Sequence, residues 1–533
     1  MNDCKTLDIP KSQSLERAMQ GRDLPWLLSH WVECTPDKPF LIWSPFGAED
    51  RVWSYEKFDQ DARRILQGLI DQGVKKGDRV LIHMSNCPEF ILSWYACAML
   101  GAVAVTTNAN SVQRDITYYV DHADIIGAIT QPQYAALIHQ SAPQLGFLIV
   151  TKDNGGEATP CPTLERRSLS FETFLNLTPS SMTREPEPLL DFAIQFTSGT
   201  TSRPKAVVWT HANALWGGEM SARHFGLDHR DVCHAFLPLF HCNNQCYSLL
   251  STLWVGGSYI LQPRFSKSQF WSAAIKYQAT WASMIPFCVK ALVAEDVPKH
   301  NFRLWLAAVS IPQLEEHFGI PIGGLYGMTE TVTQAIVCDP QHRGPFMCIG
   351  RVSPGYEISI RREDGSDIDP QETGDLFIRG VRGISLFKEY LKNHEATNEC
   401  FDAEGWFNTG DRIHMDQNGD LFFSERTKDM LKVGAENVAA SEIESVIQES
   451  GWVDEVAVVG QKHHMLDEVP VAFISLLDGA PESIKERLIE WCQQHLASFK
   501  VIHDVHVVVD FPRSTLEKIA KNKLREQLPE ITH

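Results

Sequence analysis

FAIQFTSGTTSRPK, Phe192 to Lys205, decides how the chain is read. A β-rich run, FAIQF, enters a loop in which Thr197, Ser198, Thr200 and Thr201 surround Gly199, and Lys205 follows behind Pro204. Beyond it, Ala212 to His224 has helical character. Strand, polar glycine loop and helix form the layout of an anion site, because small residues let backbone N–H groups approach phosphate oxygens closely. The phosphate loop of P-loop NTPases is a different motif. It requires GxxxxGK followed by Ser or Thr, and here Ala206 follows Lys205. Taken alone, the stretch also fits a polar surface turn.

The flanking sequence argues for parallel α/β layers. RVLIHM (Arg79 to Met84) reads as a strand, Ile91 to Leu100 as a buried helix and GAVAVTTNA as a second strand. A helix over Val112 to His122 and a third strand over Asp124 to Thr130 follow. Residues 152 to 190 are rich in Pro, Ser, Thr and Glu and read as a connecting loop. From 354 to 424, short β-rich runs between Gly and Asp (EISIRR, GDLFIRG, GDLFFS) predict small antiparallel sheets. After about Glu425, helices over Ala440–Glu449 and Pro481–His495 alternate with strands, which predicts a compact α+β unit. The expected fold is α/β. A large N-terminal domain, 1–427, has layered parallel α/β subdomains and a small β-rich subdomain, and a small mobile α+β C-terminal domain spans 428–533.

Bulk composition excludes several classes. A chain of 533 residues is too long for one ordinary core. Its 48 Lys and Arg against 67 Asp and Glu leave a net charge of -19, a field that repels nucleic-acid backbones. Thirteen cysteines without CxxC pairs are no disulfide framework, and His241, Cys242 and Cys246 lack metal-site spacing. The polar N-terminus has no apolar signal core, and Ile91 to Val105 is shorter than the ~20 residues a membrane span needs. A cytoplasmic enzyme without a transmembrane segment is the expectation.

One motif, NCPEFILSW, precedes FTSGTTSRPK, and five follow it in order: LYGMTET, FKEYLKN, GWFNTGD, KDMLKVGAENV and PRSTLEKIAKNKL. In this order they resemble the adenylate-forming superfamily of acyl-CoA synthetases, peptide-synthetase adenylation domains and luciferases, across nearly the whole chain. Within it the pattern looks most like bacterial carnitine/crotonobetaine–CoA ligases and their medium-chain relatives. The resemblance implies ATP, Mg²⁺ and coenzyme A as cofactors and a carboxylic acid as substrate. The acid displaces pyrophosphate from ATP, and the CoA thiol then displaces AMP. It assigns Thr197, Ser198, Gly199, Thr200, Thr201 and Lys205 to the β- and γ-phosphates, a charge that needs many donors. Thr329 falls to the α-phosphate, Glu330 to Mg²⁺, and Tyr326, with Gly327 beside it, to the adenine. Asp411 would accept both ribose hydroxyls, with Arg426 holding the ribose–phosphate end. Lys518 would bridge carboxylate and α-phosphate. Lys428 would be the hinge about which the C-terminal domain turns, bringing Gly434, Ala435 and Glu436 to the pantetheine tunnel.

Four positions depart from the family pattern: Ser202, Ala206, Ala435 and Glu517 stand where glycine is common. On the acyl side the resemblance places His241 at the pocket or its CoA entrance, and Trp209, Trp216, Trp281 and Trp305 are candidate walls. Glu219, three residues past Trp216, would complete an aromatic cage for a quaternary ammonium. LAAVSIPQLEEHFG lacks the usual glycine-rich adenine contact, so Val309 to Pro312 must replace it. The acid itself is not legible. Rival readings are a stand-alone enzyme loading a carrier protein, an adenylate-binding protein with reduced turnover, and luciferase-like oxygenation of an unusual substrate. A homodimer is the commonest assembly for such a chain if it assembles.

Overall fold

The structure is a computed structural model, which describes residues 17–157, 159–160, 168–197, 203–362, 364–426, 430–434, 436–477, 479–512, 519 and 521–529. Arg79–His83 (β1), Val103–Thr106 (β2) and Ile125–Thr130 (β3) are the predicted strands. They pair in parallel, with β1 between the other two. Alternate residues of β1 face opposite ways: Val80 and Ile82 join one apolar cluster, Leu81 another. Both faces of the sheet are therefore covered, as a parallel sheet requires. The helix Pro88–Leu100 (α1) starts on a proline, is buried on every side and stops at Gly101, whose φ of 79° suits only a residue without a side chain.

Asp191–Thr197 (β4) lies parallel to β2. The next element corrects the sequence reading. Lys205–Thr210 (β5) is a strand, antiparallel to β4, and the helix His211–His224 (α2) starts only after it. KAVVWT is rich in branched and aromatic residues that favour a pleated, buried strand. The short strand Glu389–Tyr390 closes the far edge of β5, completing eight strands. The stretch read as a featureless connection also carries structure. Leu169–Ser170 forms the opposite edge strand, and Phe174, in the helix Phe171–Leu175, packs against the bare backbone of Gly68.

A second, seven-stranded sheet, mostly parallel, is assembled from Pro39–Trp43, Arg51–Ser54 and five strands between Val232 and Gly323. Its inner face shares one core with the inner face of the first sheet and with α1, α2 and the helix Tyr55–Asp71 between them. Its outer face carries a separate aromatic cluster around Phe270, Phe302 and Trp305. The result is helix, sheet, helix, sheet, helix. A third sheet is antiparallel and includes Leu325–Gly327 (β6), Trp406–Met415 (β7) and Leu421–Arg426 (β8). The C-terminal unit holds the hairpin Met430–Val433 (β9) and Glu436–Ala439 (β10), two long strands and the helices Ala440–Glu449 and Ile484–His495 around their own cores. This is the α/β class expected, with a β-rich sheet and a small C-terminal unit. Among the described residues no helix is long and apolar enough to cross a membrane.

Gly350 tests how the third sheet closes. Its φ is 110°, and a Cβ there would overlap the Val337 carbonyl carbon. Gly350→Ala should cost about 1–3 kcal/mol of backbone strain in addition to the clash and lower the thermal midpoint. An unchanged melting curve would mean that this crossing is built differently.

Candidate active site

Three sheets and the C-terminal unit meet around one cavity of about 550 Å³. Both described ends of the FTSGTTSRPK stretch line it. β4 ends at Thr197 and β5 begins at Lys205, the two residues facing each other across the ladder. The loop root is pinned where the Tyr118 hydroxyl donates to the Pro204 carbonyl at 3.0 Å. Ser198, Gly199, Thr200, Thr201 and Ser202 lie outside the described residues. Thr197 and Lys205 line the cavity, and the Lys205 ammonium sits 4.5 Å from the centre of the Tyr390 ring.

Opposite them, β6 turns into a single 3₁₀ turn over Thr329–Thr331. The turn ends at Val332, whose φ of 65° and ψ of -52° close a strained γ-turn, with Thr333 N–H donating to the Thr331 carbonyl at 2.6 Å. Its outer edge is fixed by the first sheet. The Trp209 indole of β5 donates to the Thr329 carbonyl at 2.8 Å, and Phe387 N–H donates to the Glu330 carbonyl at 2.8 Å. The Glu330 carboxylate is buried and accepts the Tyr390 hydroxyl at 2.9 Å. Burial, reinforced by Glu330, holds that phenol well above its ordinary pKa, so it remains a donor. Gly327 has no room for a side chain, since a Cβ would lie 2.5 Å from the Tyr247 hydroxyl.

Asp411 is carried to the same cavity by β7, where its backbone pairs with Arg426 of β8. The side chain of Arg426 is not among those described. The Asp411 carboxylate is buried and accepts the Tyr326 hydroxyl at 2.7 Å, which ties the two nucleotide-side candidates together. Ile349 and Phe423 line the cavity beside them. Ala308 and Val309 also line it, whereas Ser310 bonds back to Cys348 and Pro312 opens a helix. The wall expected over Val309–Pro312 is therefore Ala308–Val309.

β10 brings Glu436 against the N-terminal domain. The Asn108 amide donates to its carboxylate at 3.1 Å. Burial raises the Glu436 carboxyl, partly offset by His241, and burial lowers His241, partly offset by Glu436. Asn243 N–H donates to His241 Nδ1 at 3.2 Å, so the neutral ring carries its proton on Nε2. Gly434 forms the bend of the β9–β10 hairpin, with φ 61°, and is not among the residues facing the cavity. Phe499 and Lys500 close the same side, with Lys500 in a buried 2.7 Å ion pair with Glu442. Arg114 and Glu449 make a second, exposed bridge between the domains at 2.9 Å. Lys428, Ala435, Glu517 and Lys518 lie outside the described residues. Lys521 is half-buried and paired with Glu444 at 2.6 Å.

The acyl-side expectations change most. Trp209, Trp281 and Trp305 are fully buried and Trp216 nearly so, and none of the four lines the cavity. Glu219 instead pairs with Arg223 on the exposed side of α2, so these residues build no aromatic cage. Among the described residues no group of three or more His, Cys, Asp or Glu could hold a metal ion, His241–Cys242–Cys246 included. Sequence reasoning missed Asn108, Tyr247, Lys500 and Tyr390 as site residues. Tyr390 stood in FKEYLKN and its role was within reach.

A buried carboxylate beside a threonine, a second carboxylate on another strand of the same sheet and a lysine lining the same cavity suit an adenylate-forming enzyme. The chain belongs to the AMP-binding enzyme family, whose model matches residues 28–391, with the AMP-binding enzyme C-terminal domain at 442–518. Crotonobetaine/carnitine–CoA ligases of Salmonella paratyphi B and Escherichia coli SE11 are each 32% identical, over 506 and 503 residues, covering 92% of this chain and 96% of theirs. Among solved structures, the o-succinylbenzoate CoA synthetase of Bacillus subtilis with its product analogue OSB-NCoA superposes with a TM-score of 0.81 at 23% identity, covering 95% of this chain and 99% of that one. A benzoate CoA ligase from Burkholderia xenovorans LB400 gives 0.68 at 24%, covering 95% and 100%. The chain is an AMP-forming acid–CoA ligase, with ATP and CoA as substrates.

Tyr390 gives a direct test of the Glu330 arrangement. Losing a hydrogen bond to a charged group costs about 1.5–3 kcal/mol, so Tyr390→Phe should slow pyrophosphate release about tenfold or more. Wild-type rates in that variant would detach Tyr390 from the site.

Proposed function

We propose that both half-reactions of this ligase run in the one cavity. The carboxylate oxygen attacks the α-phosphorus of ATP and the bond to pyrophosphate breaks. The CoA sulfur then attacks the acyl carbon, the thiol proton is lost and AMP leaves. Thr329 holds the α-phosphate oxygens, Asp411 takes the ribose hydroxyls, and Lys205 with the loop that begins at Thr197 grips the departing pyrophosphate. Tyr326 borders the adenine while its hydroxyl orients Asp411. Glu330 fits Mg²⁺: it is one buried carboxylate at a cavity, and Mg²⁺ is commonly held by one or two carboxylates plus substrate phosphates rather than by a protein cage. When bound, that ion neutralises charge on the phosphates. Lys518 bridges the carboxylate and α-phosphate during adenylation, with Lys428 as the hinge.

The single observation that carries the CoA half of this reading is Glu436 seated between His241 and Asn108, with Phe499 and Lys500 in the same wall. That seating supports an arrangement for the thioester step, with Lys518 exchanged for β10. The B. subtilis synthetase is in keeping with it: its product-analogue complex superposes at 0.81, its AMP complex at 0.66. Carnitine and crotonobetaine, which name the relatives' reactions, are the first acids to test.

Pyrophosphate release across carnitine, crotonobetaine, fatty, aryl and steroid-type acids, with and without CoA, tests the reading. Acid-dependent release that CoA accelerates supports it. Release accelerated only by a carrier-protein phosphopantetheine, or none with any acid, overturns it. Lys518→Ala should cripple adenylation yet leave thioester formation from supplied acyl-AMP largely intact, and equal loss of both steps would sink its assigned role.

A further inference from the structure

The acyl end of the cavity is the part that neither the sequence motifs nor the relatives specify. On the ligase reading it is the wall next to His241, where Cys242, Asn243, Tyr247 and Met328 line the cavity. Its inner end lies next to the reaction centre, because the Cys242 thiol reaches the hydroxyls of both Thr329 and Tyr247. Cys242, Asn243 and Tyr247 reach the wall from a π-helix, Asn243–Leu250, and the residue just before it. Such a wide turn redirects side chains and is frequent at functional sites.

Behind Tyr247 there is only core. Cys246, Leu249 and Leu250 are fully buried on the next turn. The π-helix lies directly on α2: a Cβ at Gly217 would fall 2.7 Å from the Cys246 sulfur, and one at Gly218 2.8 Å from the Leu250 carbonyl oxygen. A channel for an alkyl chain between these two helices has no space. On the other side, the Tyr247 hydroxyl fills the volume beneath Gly327. The π-helix is also held against sliding. The Gln245 amide donates to the Leu239 carbonyl at 2.8 Å and accepts from Gln195 at 2.6 Å, and Asn244 accepts the Tyr259 hydroxyl at 2.5 Å. Asn243 keeps one polar group for a ligand. Asn243 Oδ1 accepts the Ser283 hydroxyl at 2.8 Å, while its amide nitrogen has no partner among the described residues.

From this we infer that Tyr247 floors a short, closed acyl slot, and that the substrate is a short-chain acid carrying a hydrogen-bond acceptor for Asn243 rather than a medium- or long-chain fatty acid. The inference rests on the ligase reading, and the test separates the two. The full-length chain is titrated calorimetrically with sulfamoyladenosine, a stable stand-in for the adenylate, and with its butyryl, 3-hydroxybutyryl, octanoyl and dodecanoyl derivatives. Butyryl should bind more tightly than the parent, and octanoyl and dodecanoyl at least about tenfold more weakly than butyryl. Tyr247→Leu, or Tyr247→Ala where the former folds poorly, should raise the octanoyl-to-butyryl affinity ratio about tenfold, whereas Tyr247→Phe should keep the wild-type ratio. The preference for 3-hydroxybutyryl over butyryl should vanish in Asn243→Ala. Octanoyl binding as tightly as butyryl in the wild type, or an unchanged ratio in the enlarged variants while the parent nucleoside still binds, overturns the slot. Failure of the parent itself to bind the wild type overturns the nucleotide site, and the slot with it.

Discussion

The reaction centre hangs on one buried strand, β5. Lys205 at its first position faces the cavity, and its pairing with β4 aligns Thr197 beside it. Its Trp209 indole fixes the Thr329 carbonyl. Its other edge pairs with Glu389–Tyr390, which delivers the Tyr390 hydroxyl to Glu330. A triphosphate demands donors and a carboxylate-bound cation within a few ångströms, and no single loop supplies both. Ladder hydrogen bonds on both sides of β5 hold the lysine and the glutamate in fixed relation, so little reorganisation is needed when charge develops.

The same strand marks the limit of what the sequence revealed. The parallel layers, the β-rich segment and the C-terminal unit were legible, because β1, β2 and β3 alternate with helices at short spacing and the later strands fall between Gly and Asp turns. β5 was not, since six residues, four of them β-prone, between a conspicuous loop and a conspicuous helix left no punctuation of their own. The tryptophans failed for a related reason. Composition marks them as large and amphipathic, but which face of a strand or helix they occupy follows from register, and register put Trp209 and Trp305 in the core. Asp411, Glu330 and His241 were singled out because their motifs carry them, and all three line the cavity. Tyr247 and Asn108 were not, because a π-helix and a cross-domain contact have no short-range signature.

Among the described residues, the contacts between the domains include Glu436 with Asn108 and His241, Arg114 with Glu449, and Lys432 over the Phe423 ring. An exposed pair such as Arg114 with Glu449 contributes at most about 1 kcal/mol. Glu436 and His241 are each pushed by burial toward the neutral form, which reduces the charge enclosed when β10 docks.

The order of bond making and breaking is the central claim, and isotope transfer reads it directly. An acid labelled with ¹⁸O in both carboxylate oxygens is incubated with ATP, CoA and enzyme, and the products are weighed by mass spectrometry. Passage through an acyl-adenylate leaves one ¹⁸O in AMP and one in the thioester carbonyl. Label in inorganic phosphate alongside ADP, or unlabelled AMP, would contradict the account.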